Sequence, residues 1–166
     1  NRAQLTSKLV LMSEKPFAYS VERTFKTDLE TMWSAWMNPK SLEAWYHPTM
    51  LKSVEGVFES EADVGGLWAV AVDVSMHGFN AYFYGKYTAL VENSRIEHTM
   101  HYTQSAEEFE ARVPSELAHT VVVDFEARGS KSWAKFSQYG ELPEGQAPQA
   151  QAGMESYFDN LGKFLA

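Results

Sequence analysis

The sequence predicts an α+β domain in which an antiparallel sheet of about seven strands curls around a long C-terminal helix, with two short helices after the first strand. Three patterns predict it. Residues 17–25 alternate between apolar and polar side chains, the period of a half-buried strand. Residues 28–47 change to helical spacing interrupted by Asn38-Pro39. Beyond a run of β-type segments, Met154, Tyr157, Phe158, Leu161 and Leu165 recur at i, i+3, i+4, i+7 and i+11, the stripe of a helix that must dock.

In the first strand Phe17, Tyr19, Val21 and Phe25 share one side, with Arg23 among them, opposite Ser20, Glu22 and Thr24. Thr27-Asp28-Leu29-Glu30 matches a capping box, so a helix begins near Asp28, and Leu29, Met32, Trp33, Trp36 and Met37 form its apolar side. Asn38 caps a second short helix and Pro39 opens it; Leu42 and Trp45 face inward and Pro48 stops it. Strands follow over residues 51–60, 67–75, 79–91, 95–103, 119–127 and 132–139, separated by turn chemistry such as Gly65-Gly66, His77-Gly78 and Arg128-Gly129-Ser130, which gives a meander. Between the fourth and fifth of these, residues 103–118 carry Glu107-Glu108-Phe109-Glu110 and read as a long connection with a turn of helix, or as a gating loop. The last helix covers residues 147–165. Burying Met154, Phe158, Leu161 and Leu165 contributes up to roughly 6–12 kcal/mol, so docking rather than intrinsic propensity makes this helix. Residues 1–166 read as one domain, with 1–15 an N-terminal extension or a further first strand.

Composition narrows the function. With 45% hydrophobic and 14% aromatic residues the chain is globular, not disordered. Fourteen Lys and Arg against 22 Asp and Glu give a net charge of −8 with no basic run, which argues against a nucleic-acid partner. Leu9-Val10-Leu11-Met12 is too short to span a membrane or to serve as a signal h-region, and the reading is a soluble, cytoplasmic protein. Zero Cys excludes disulfides, thiolate metal sites and a Cys nucleophile. His98 and His101 fall on opposite faces of a strand, and the five His show no zincin spacing, so neither a metal nor a cofactor is expected. No nucleophile elbow, Walker loop or dinucleotide fingerprint is present.

Val21-Glu22-Arg23-Thr24-Phe25, Trp33, Asn38-Pro39, Trp45-Tyr46-His47-Pro48, Val64-Gly65-Gly66-Leu67-Trp68, Gly85-Lys86-Tyr87 and Gly153-Met154-Glu155 stand in one order over about residues 17–165. This succession resembles the activator of Hsp90 ATPase homologue-like family, a branch of the START/SRPBCC (Bet v 1-like) superfamily with the helix-grip fold. Two positions depart from the family pattern: Asp63 stands where an Arg is frequent and Met154 where a Trp is frequent. In the resembling fold both lie near the cavity rim.

In the helix-grip layout one helix cannot fill the concave sheet, and a pocket of ~300–1,000 Å³ remains between sheet, last helix and short helices. The reading that follows is a protein that binds a small, largely apolar molecule there. Strand parity turns Trp68, Phe83, Tyr87, His98 and Met100 toward it, with Trp45 of the second short helix and Phe158 of the last helix. Trp68, just after the paired glycines, is expected at the rim. His98 is either a neutral core residue or a pocket acid/base, and Arg23 either pairs with an acid such as Asp159 or anchors an acidic ligand group. Two other functions stand beside this one. Related folds host cyclases and dehydratases acting in the same cavity; the resembling family also includes chaperone-activating interaction modules, and a homodimer is open.

Overall fold

The computed structural model describes residues 15–115 and 117–166. The expected extension, apart from Lys15, lies outside the described residues. The alternating first segment forms β1 (Phe17–Phe25), followed by helices α1 (Leu29–Met37) and α2 (Pro39–Trp45). The α1 cap differs by one residue from the capping-box reading: the Asp28 carboxylate, not Thr27, accepts the Thr31 N–H, at 2.7 Å. A carboxylate at that position also faces the positive end of the helix dipole. Asn38 closes α1 through its N–H to the Ser34 carbonyl and opens α2 by accepting from the Lys40 and Ser41 amides.

The expected strand over residues 51–60 is interrupted. It forms two short strands, β2 (Lys52–Ser53) and β3 (Glu59–Ser60), both paired with the same edge of β4 (Leu67–Val74). Gly56, with φ +83°, turns the chain between them. A 3₁₀ turn over Ser75–His77 leads to β5 (Phe79–Val91), then β6 (Arg95–Thr103), α3 (Ala106–Ala111), β7 (His119–Arg128), β8 (Lys131–Tyr139) and α4 (Ala147–Leu165). The sheet is antiparallel in the order β1-β8-β7-β6-β5-β4-β2, with β3 also on β4. Seven lanes result, as the sequence predicts, curled around α4 in a helix-grip.

The concave face packs on α4 and the two short helices through Val21, Phe25, Val70, Val123, Phe136, Phe158 and Leu161, all buried. Arg23 ties β1 to α4 through Nη1 to Asp159 at 2.8 Å and Nη2 to Glu155 at 2.7 Å. The convex face carries a second core. There Ala69, Ala71, Tyr82 and Tyr84 are covered by Phe109 of α3, whose ring stacks on Tyr82 at 4.7 Å. The acidic connection is therefore a short helix on the outside of the sheet. A register shift at Ala18 separates Phe17 from the inward side chains of β1; Phe17 is exposed and meets Tyr139 edge-on.

Candidate functional site

The interior under α4 is filled at one end and hollow at the other. At the filled end Trp36 meets Trp45 at 4.8 Å, Trp45 Nε1 donates to the Ala35 carbonyl at 2.8 Å, and Tyr46 contacts both Trp45 and Trp68. The Trp68 indole stacks on the His98 ring at 3.8 Å, and Tyr87 meets His98 edge-on. His98 shares a 2.8 Å hydrogen bond with the Thr99 carbonyl, and burial holds its pKa down to about 4. A neutral ring whose Nδ1–H donates to that carbonyl satisfies this geometry. The Tyr87 hydroxyl is 2.6 Å from Ser60 Oγ; burial pushes its pKa up to about 12, against the effect of that bond.

The hollow end is a cavity of about 330 Å³ between the sheet and the first turns of α4. Phe83 (β5), Met100 (β6) and Phe136 (β8) form its sheet wall, and Ala150, Gly153 and Met154 its helix wall. Small residues make the space: a Cβ added at Gly153 meets nothing within 4 Å. Into this half-open apolar pocket come the rings of Tyr19, Tyr46 and Tyr157 and the amide of Gln138. The Tyr46 and Tyr157 rings meet at 4.9 Å, nearly perpendicular. Burial raises the pKa of all three phenols, and Tyr157 adds to the shift of Tyr19 and of Tyr46. They are neutral hydrogen-bonding groups through the physiological range.

Gln138 joins this wall to the outside. Its Oε1 accepts from the Tyr19 hydroxyl at 2.8 Å, and its Nε2 lies 2.8 Å from His119 Nδ1. His119 also bonds the Glu141 backbone, and burial, with Lys15 adding to it, lowers its pKa. The His119 ring occupies the space a side chain at Gly140 would need, and Gly140 has φ +146°.

The residues singled out from sequence thus separate. Phe83 and Met100 line the cavity. Trp68, Tyr87, Trp45, His98 and Phe158 are buried in the filled end, with Trp68 only 2% exposed rather than at a rim. Parity places these side chains on the correct face but carries no information on depth, and packing of the short helices closes this end. Arg23 is held by its two carboxylates. Of the two departures from the family pattern, Met154 is in the cavity wall, whereas Asp63 is exposed in the turn before the paired glycines. Tyr19, Gln138, Tyr157 and Tyr46 complete the site. A signal for them existed: Gln138 is polar at an inward position of β8, and Ala150 and Gly153 are small on the inward stripe of α4. Among the described residues no group of three or more His, Asp and Glu is placed to hold a metal ion, and no helix is long and apolar enough to cross a membrane.

A profile of the family described as Activator of Hsp90 ATPase homolog 1-like protein matches residues 26–166. The chain belongs to this family. Solved structures similar to this Hsp90-activator-homologue-like chain include protein CV1439 from Chromobacterium violaceum, with TM-score 0.70 and 19% identity over 89% of this chain and 96% of that one. Protein Ms6760 from Mycobacterium smegmatis has TM-score 0.71 and 17% identity, covering 89% of each chain. A protein from Staphylococcus epidermidis, solved by NMR, has TM-score 0.68 and 22% identity over 88% of this chain and 87% of that one. At these identities the likeness is one of fold, the helix-grip. No curated protein matches the chain.

Proposed function

We propose that this domain binds a small, largely apolar molecule in the cavity between the sheet and α4. One observation carries the reading: an apolar space of about 330 Å³ whose polar wall groups are three phenols and one amide. Such a lining favours an apolar body through burial and orients a ligand oxygen through neutral hydrogen bonds. A carrier or a sensor needs no more chemistry than this.

The test fills the cavity without removing any side chain. Gly153→Leu places an apolar group into open space from the middle of α4. Nile red, an uncharged apolar dye, is expected to bind the native protein saturably and to bind Gly153→Leu at least tenfold more weakly, about 1.4 kcal/mol. The variant should unfold in urea no earlier than the parent, since Leu is a better helix former than Gly. Non-saturable dye uptake by the parent, or equal affinity in the variant, would remove the cavity as a binding site.

A further inference from the structure

A second chamber adjoins the first. β6 and β7 pair up to Met100 and His119, so the last residues of β6 run on without β7 beside them. Ser115, Leu117 and Ala118 lie at the opening, and the Ser115 N–H donates to His101 Nε2 at 2.8 Å. Behind it lies a solvent-open chamber of about 600 Å³. Phe83, Met100 and Gln138 border both this chamber and the inner cavity. Phe83 and Met100 are only half-buried although parity turns them inward, as side chains with space on either side would be. Met100, unbranched and adaptable, is suited to be a movable partition.

We propose that the two chambers are one bipartite site for an uncharged, elongated molecule, with its apolar body in the inner cavity and a neutral polar head in the outer chamber, where the Glu141 carboxylate can accept from it. This rests on the cavity reading above and adds the ligand's length and charge. The charge follows from the walls. Among the described residues neither chamber is lined by Lys or Arg, and the outer one carries the Glu141 carboxylate. Accepting the Ser115 amide uses the Nε2 lone pair of His101, while its Nδ1 is 3.2 Å from the Tyr84 carbonyl, an arrangement for the neutral ring. His119 is engaged by Gln138 and the Glu141 backbone. Lys15 acts on His119 from outside the wall, with Nζ on Thr120 Oγ1 at 2.9 Å. A carboxylate head in the outer chamber would face Glu141 with no lining cation among the described residues, in a chain of net charge −8, and drawn into the inner one it would shed water without a partner. A hydroxyl, ester or amide meets no such cost.

The experiment is displacement of Nile red from the full chain at pH 8 by tetradecan-1-ol, tetradecanoate and octan-1-ol. The long alcohol is expected to displace the dye at least tenfold more effectively than the carboxylate of equal length. Met100→Trp, which thickens the partition, is expected to weaken the long alcohol at least tenfold and the short one by a several-fold smaller factor. Met100→Ala, which thins it, should strengthen the long alcohol by a larger factor than the short one, so the proposal stays testable if Met100→Trp does not fold. Carboxylate binding as tight as the alcohol overturns the charge assignment. Equal effects of either Met100 variant on both chain lengths overturn the bipartite site while leaving the inner cavity standing. A protein that binds neither dye nor alcohol refutes the cavity reading and this one together.

Discussion

The two ends of the interior are built from the same kinds of residue and have opposite outcomes. At the filled end, Trp36 and Trp45 meet edge-on, Trp68 stacks on His98, Tyr46 joins the two pairs, and Phe158 and Leu161 of α4 are buried in the same core. Under the N-terminal half of α4, Tyr19, Tyr46 and Tyr157 surround a space. Aromatic content does not separate them; the helix does. Phe158 and Leu161 are fully buried, while Gly153 and Ala150, about one and two turns before Phe158, are too small to fill the space beneath them. A void this large is tolerated because the filled end supplies the packing that holds sheet and helix together.

The largest expected effect breaks the filled end. Trp68→Ala should cost ~3–5 kcal/mol in urea denaturation, the range for a fully packed aromatic, with dye affinity of the remaining folded protein unchanged. A loss of affinity in protein that stays folded would instead join Trp68 to the hollow end. The next effect is titrational. The unfolded chain protonates His98 near its ordinary 6.5, whereas the folded chain resists protonation until about 4. Stability from this group is therefore fully present above the unfolded value and is lost as pH falls through that window, by about 2 kcal/mol between pH 7 and pH 5. His119, also lowered by burial, adds in the same direction. A denaturation midpoint that does not move over that range would contradict the neutral stack on Trp68. The smallest effect sharpens the hollow end: Gly153→Ala meets no neighbour and should stabilise by ~0.5–1 kcal/mol, read as a small rise in Tm. Destabilisation would mean that the space is not there.

Periodicity made the helix-grip legible almost throughout. The last helix falls on the residues its apolar stripe marks, and the strand parity of Val21, Val70 and Val123 is the parity of the core. The split of residues 51–60 was hidden because an edge strand is interrupted by local turn geometry at Gly56, not by a change in apolar pattern. The helix over the convex face was half-legible, as a turn in an acidic run, since a single inward residue, Phe109, docks it. The site was legible by face and not by depth. Whether Trp68 or Phe83 borders empty space depends on residues far away in the chain, on whether α2 or a glycine of α4 stands opposite, and a single strand carries no record of that. Arg23 is the exception, because a cation at an inward position demands an acid and the last helix offers Glu155 and Asp159.

The second core on the convex side buries β4 on both faces over Trp68–Val72, with Ala69 and Ala71 outside and Trp68, Val70 and Val72 within. The backbone amides of this stretch are shielded by two layers, so their exchange with solvent hydrogen requires a large opening of the fold. The residues before β7, held to the sheet by the Tyr84 hydroxyl on the Val113 carbonyl and by the Ser115 amide on His101, open at smaller free energy. A slow-exchanging strand therefore stands beside a more readily opened segment of the same sheet.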